Sequence, residues 1–256
     1  RTANDPGRAT TKTLEGHFDP WYRGFDLNYP DQKRVDEFLK QLRAFEKDGG
    51  LPGFIVLRLP NDHTSGSRVG SPTPTAYLAD NDLALGRIVE AVSQSKFWKD
   101  TAIFVIEDDA QNGSDHVDAH RTVALVISPY SRHAGVDSSL YSTTSFLRTM
   151  ELILGLKPMS QFDAAARPMY ASFHAAADTR PYQHLIPDTD LNAKNQRTAW
   201  GAKLSDTFDL TREDRVDDLL FNQVIWHAVR GPNVPMPPPV RAAFVAPHPK
   251  KPQDDD

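Results

Sequence analysis

Apolar residues recur along this chain in two rhythms. At Val35, Phe38, Leu39, Leu42 and Phe45 they fall three and four apart, one stripe of a helix that Tyr29-Pro30-Asp31 opens and Gly49-Gly50 stops. A second stripe, Leu78, Leu85, Ile88, Val89 and Val92, predicts a long helix over about 75–95, with Thr73 and Pro74 as cap and first-turn pair. A third runs from about Thr143 to Leu154 and ends at Gly155, with Pro158 beyond it. Between these lie unbroken apolar runs: Phe54-Ile55-Val56-Leu57-Arg58-Leu59, Thr101–Ile106 and Val123–Ile127. Short continuous runs bounded by polar and turn residues predict buried strands.

Strand, helix, strand, loop, strand, helix is the alternation expected of an α/β domain with a mainly parallel sheet and helices on its faces. Such sheets gather their chemistry at the C-terminal ends of the strands. Asp62-His63 follows the first predicted strand and Glu107-Asp108-Asp109 the second, so the pattern predicts that they share one edge. Beyond residue 160 the rhythm weakens. Residues 1–173 read as the α/β part, 174–231 as a peripheral extension, and 232–256 as a Pro-rich, acidic, disordered tail. The extension closes with a helix opened by Thr211-Arg212-Glu213-Asp214, striped by Val216, Leu219, Leu220, Val224 and Ile225, and ended by Gly231.

Composition narrows the choices. The 256 residues carry a formal net charge of -5, which argues against a nucleic-acid binder, because such proteins need a basic surface to displace counterions. It does not argue against phosphate substrates, since a bound divalent ion can supply the local positive charge. Cysteine is absent, so thiolate metal sites, disulfides and a Cys nucleophile are excluded. No apolar run approaches the roughly 20 residues that span a bilayer. The chain opens on Arg1 without an initiator Met or a signal-peptide-like segment and reads as part of something longer.

The densest chemistry is Glu107–Arg121, where Glu107, Asp108, Asp109, Asp115 and Asp118 accompany His116, His120 and Arg121. Adjacent carboxylates repel, and a divalent cation relieves that cost while imidazole adds a nitrogen ligand. The bland alternative is a solvated acidic turn. Asp62-His63 is either a second ligand segment or an ordinary hydrogen-bonded pair. Arg121 either grips a phosphate oxygen bidentately or pairs with Asp118. Asp80-Asn81-Asp82 lies mid-helix as a polar face or a helix-to-sheet contact, and His17 is a loop histidine without an assigned role. There is no Gly-x-Ser-x-Gly elbow, P-loop or dinucleotide fingerprint. Thr64, Ser65 and Ser67 carry no sign of activation.

Taken together, the strand with Asp108-Asp109, then Asp115-His116-Val117, then Val126-Ile127-Ser128-Pro129-Tyr130 resembles the bacterial phosphoesterase family of the alkaline phosphatase superfamily, which includes phospholipases C and acid phosphatases. Ser145-Phe146-Leu147-Arg148, Glu151, Gly155-Leu156 and Asp163–Arg167 resemble its next block. Leu59–Thr64 and Ala79–Asp82 are similar to a branch in which the domain follows a β-propeller. The resemblance covers about 26–170 and implies a partial three-layer αβα, alkaline-phosphatase-like domain. It implies Asp108 and Asp109 as ligands of a divalent metal ion (Zn2+, Ca2+ or Mn2+). His116 would be a ligand or a phosphate-contacting acid/base, and Asp62 and His63 would stand at an earlier Asp/His ligand segment. His116, His63 and Arg121 are then the catalytic candidates. Asp109 stands where the family has Glu, Gln111-Asn112 replaces Gly-Gly, and His120 has no counterpart.

The family's first ligand pair and its Ser/Thr nucleophile come from further upstream, and nothing in residues 1–50 matches them. The implied reaction is metal-dependent hydrolysis of phosphate mono- or diesters, by a longer enzyme whose upstream half and β-propeller are the expected partners, in an extracytoplasmic (periplasmic or secreted) setting. Two rivals remain: a non-catalytic, metal-stabilised module that binds phosphate or a protein partner, and the same fold acting on sulfate esters or in phosphate transfer.

Overall fold

The computed structural model describes residues 6–108, 113–115, 117–131 and 135–241. In order the elements are α1 (Asp31–Asp48), α2 (Pro74–Gln94), β1 (Ile103–Ile106), β2 (Ala124–Ile127), α3 (Thr143–Leu154), α4 (Gln161–Ala165), α5 (Ala202–Ser205) and α6 (Asp218–Arg230). The chain divides into two compact units. One comprises Arg1–Thr64, Ala76–Ile106 and Ala124–Asn192; the other comprises Ser65–Thr75, Glu107–Val123 and Ala193–Asp256.

In the first unit, α1 forms where its stripe predicts. Val35, Phe38 and Leu42 meet Ala84, Ile88 and Val92 of α2, and Trp98 completes the core. Each fully buried side chain of this size contributes about 1.5–3 kcal/mol. Gly49 ends α1 in the left-handed region at φ 87°, its N–H donated to the Phe45 carbonyl, a conformation that a Cβ would strain. Leu78, counted in the stripe of α2, is instead exposed. α3 is closed by a capping box at Ser142 and by left-handed Gly155.

Among the described residues the expected mainly parallel sheet of a three-layer αβα domain does not form, and they fold as a mixture of helices and one small sheet. β1 and β2 pair antiparallel, Ile103 opposite Ile127 and Ile106 opposite Ala124, as a two-stranded sheet. A parallel return needs a crossover, usually a helix, and the described residues between these strands contain none. Phe54–Leu59, expected as a buried strand, joins no sheet among the described residues. Leu57 and Leu59 pack on the α1–α2 core, whereas Phe54, Ile55 and Val56 are exposed, Val56 to 77%. Strand propensity records how well a side chain fits a pleated, half-buried surface, and here the pairing strand is lacking.

In the second unit, Phe208, Phe221 and Val224 make a small core. Its helix starts later than the acidic run at Thr211 suggests: Asp217 is the cap, its carboxylate accepting the Leu220 N–H. Leu219, expected on the buried stripe, is exposed. The loop 65–72 is fastened by Asn195, whose amide nitrogen donates to the carbonyls of Gly66 (3.0 Å), Arg68 (3.2 Å) and Pro72 (2.9 Å). No helix among the described residues is long and apolar enough to cross a membrane.

Candidate functional site

The first candidate segment is the tight 3-10 turn Pro60–His63, in the first unit. Leu59 enters it in extended conformation, and Pro60 supplies the fixed φ of a first helical residue. Asp62 and His63 are half-buried. The Asp62 carboxylate accepts the His63 backbone N–H at 3.1 Å. His63 Nδ1 lies 3.1 Å from the Thr64 carbonyl oxygen. A carbonyl only accepts, so Nδ1 is the protonated nitrogen and, in the neutral ring, Nε2 carries the lone pair. That lone pair suits either a proton or a metal ion. The ring also rests edge-on against Phe25, with centroids 5.2 Å apart.

Thr64 leaves the turn at φ 59°, ψ 174° and is buried. For a β-branched residue this is a strained conformation, which persists only where the surroundings over-determine it. What surrounds the turn is a buried polar cluster that the sequence patterns do not reveal. Asp31 and Arg34 form a fully buried ion pair at 2.9 Å. Asp31 Oδ2 accepts the Asn61 backbone N–H and the Asn81 side-chain amide, both at 3.1 Å. Asp80 Oδ2 accepts the Asn61 side-chain amide and the Asp31 backbone N–H, both at 2.7 Å. Burial pushes the Asp31 carboxyl up to about 6, against the pull of Arg34. The signals available in the sequence were Asp31 at the start of α1 and the polar triplet Asp80-Asn81-Asp82 inside α2; Asp80 and Asn81 make neither a polar face nor the helix-to-sheet contact, but bond α1 and the 59–61 segment, which joins no sheet among the described residues.

The second segment, in the other unit, follows β1. Asp108 is exposed. Asp109 and His116, the other central ligand candidates, lie outside the described residues. Arg121 pairs with Asp115 rather than Asp118: Nη2 reaches both carboxylate oxygens at 3.0 and 3.2 Å, and Nε reaches Oδ2 at 3.3 Å. The Val117 backbone N–H and then Arg121 hold the Asp115 carboxyl below its usual range. Asp118 takes His120 instead, at 2.8 Å to Nδ1. Thr64, Ser65 and Ser67, the hydroxyls nearest to His63 in sequence, are all buried.

Oxygen and imidazole donors are the right chemistry for a hard or borderline divalent ion. Among the described residues, however, no group of three or more His, Asp and Glu side chains is assembled to hold one. Asp62 and His63 belong to the first unit and Asp108 and Arg121 to the second.

The half-buried Asp62-His63 pair of the first unit and, in the second, Asp108 and Arg121 beyond β1 are residue types that hydrolases use. The sequence model of the Phosphoesterase family matches residues 21–157, more than half of the chain, and the chain belongs to that family. Asp62, His63, Asp108 and Arg121 all fall within the match. A comparison with curated proteins returns no match.

Proposed function

We propose that this chain takes part in hydrolysis of phosphate mono- or diesters, within a longer polypeptide that supplies the attacking group and carries a β-propeller, and that the enzyme works outside the cytoplasm. The family match across residues 21–157 carries the reading. His63 is assigned proton transfer at Nε2, because its Nδ1 is engaged by the Thr64 carbonyl and the lone pair therefore falls on the other nitrogen. Arg121 is assigned the phosphate oxygens: Asp115 occupies Nε and Nη2, and a guanidinium carries five N–H donors in all. Residues such as these orient a substrate and neutralise its charge in place.

A divalent ion is part of the proposal, with Asp108 and Asp109 as its holders and Asp62, His63 and His116 completing or flanking them. It would supply positive charge against the phosphate oxygens. The tasks given to His63 and Arg121 stand on their own chemistry.

Two measurements test this. Asp108→Asn is expected to weaken binding of a divalent ion by the purified chain at least ~10-fold, the low end of what losing even an outer-shell partner costs and so a floor for a direct ligand. In the longer polypeptide, His63→Ala is expected to lower aryl phosphate turnover about 100-fold or more, as loss of an acid/base group does, and aryl sulfate should turn over more slowly than aryl phosphate. Unchanged ion affinity together with unchanged turnover would overturn the proposal.

A further inference from the structure

His63 is held from two sides, and α1 takes part in both holds, sharing the second with α2. On one side is the ring of Phe25, carried by the loop 23–29. That loop is organised around the buried guanidinium of Arg34, which donates to the carbonyls of Arg23 (2.9 Å), Gly24 (2.7 Å), Asp26 (3.0 Å) and Tyr29. On the other side is the backbone of the Pro60–His63 turn. Its second residue, Asn61, is 2% exposed and is gripped twice: Asp31 takes its backbone N–H and Asp80 its side-chain amide.

The grip has a direction. Asn61 Oδ1 is buried with no hydrogen-bond partner among the described residues. Reversing the amide would turn that oxygen toward the Asp80 carboxylate, so the orientation is set by Asp80 and accepted despite an unpaired buried acceptor. Two residues later the chain passes through left-handed Thr64, whose carbonyl is the partner of His63 Nδ1. A shift of the turn would move that carbonyl and the ring relative to each other. The strain at Thr64 requires a rigid frame, and Asp31 with Asp80 supplies a charged one in direct contact with the turn.

We propose that Asn61 is the positioning residue of His63: clamped by Asp31 from α1 and Asp80 from α2, it fixes the turn so that Nδ1 meets the Thr64 carbonyl and Nε2 is left as the basic nitrogen. The inference rests on the reading of His63 as the proton-handling side chain, but its test does not depend on turnover. The ring tautomer of His63 is read by long-range 1H–15N correlation on the 15N-labelled chain above the pH at which the ring protonates, with His63→Gln assigning the signal. Far-UV circular dichroism and a thermal melt report folding in parallel.

Wild type is expected to show Nδ1 protonated and Nε2 unprotonated. Asp80→Ala and Asn61→Ala are expected to convert His63 to a mixture of tautomers in a folded chain. Asp80→Asn is expected to restore the single tautomer, because both bonds land on the same oxygen, Oδ2, which an amide oxygen can replace. If Asp80→Ala unfolds the chain, Asn61→Ala and the Asp80→Asn rescue still decide the matter. A folded Asn61→Ala chain that keeps the single Nδ1-protonated tautomer overturns the proposal. A tautomer that follows the clamp while His63→Ala leaves aryl phosphate turnover intact upholds the positioning and removes the catalytic reading, so the two fail separately.

Discussion

Asp31 is fully buried against Arg34, and its carboxyl is pushed up by burial from 3.8 to about 6 despite that partner. The folded protein then binds this proton more tightly than the unfolded chain does. Ionised Asp31 therefore costs stability above about pH 6, and the cost is relieved as pH falls through 6 toward 3.8. Asp31→Asn has no such proton. On moving from about pH 7.5 to about pH 5, wild type should gain stability relative to Asp31→Asn in urea unfolding; a gap that stays constant would mean that Arg34, not burial, governs the charge. Gly66 makes a different residue-level case. It sits at φ 60°, and a Cβ there would meet Ser205 Oγ at 3.0 Å, Val224 at 3.1 Å and Phe221 at 3.2 Å. Gly66→Ala thus combines backbone strain with overpacking, and a loss of roughly 1–3 kcal/mol in thermal or urea unfolding is expected.

Among the elements, the loop 65–72 lies outside helix and strand and is tied down by Asn195, alongside Ser205 and Phe208. One amide serves three carbonyls, while the Asn195 backbone exchanges bonds with Gly70 and Ser71. Asn195→Ala leaves those carbonyls short of a donor, and the expected cost is about 2–4 kcal/mol, at ~1–3 for each buried acceptor less what water recovers. A variant within ~0.5 kcal/mol of wild type, the range of neutral surface changes, would contradict the clamp. Nothing in the sequence marks this asparagine, because its partners lie more than a hundred residues away. The helices were legible for the opposite reason: α1 and α3 follow from spacings of three and four and from local caps at Gly49, Ser142 and Gly155. The strands were legible as segments and not as a sheet. Ile103–Ile106 and Ala124–Ile127 form where their apolar runs lie, but pairing direction depends on the path between them, which residue composition does not encode. Asp62-His63 was visible for the same local reason as the strands, at the polar end of an apolar run. The cluster of Asp31, Arg34, Asn61 and Asp80 that frames it was not, since its members come from two helices and a turn.

At the scale of the whole chain, the exposed run Phe54-Ile55-Val56 bears on how the protein behaves in solution. Apolar runs of this kind with high strand propensity, left outside a sheet, pair with other chains. None of Phe54, Ile55 and Val56 takes part in a hydrogen bond with the described residues, so their backbone donors and acceptors add to the apolar attraction. Val56 is the point to interrupt it. At 77% exposure its side chain contributes little to the core, so Val56→Lys should change unfolding stability by no more than ~0.5 kcal/mol, while the charge opposes strand-to-strand association. Sedimentation velocity over a concentration series should then show wild type associating and Val56→Lys remaining monomeric. Leu57→Lys supplies the contrast, since Leu57 packs on the α1–α2 core: it should lose stability outright, about 2 kcal/mol or more for a charge forced against apolar surface. If wild type stays monomeric throughout the series, the exposed run is inert by itself, and its apolar face has no bearing on association at those concentrations.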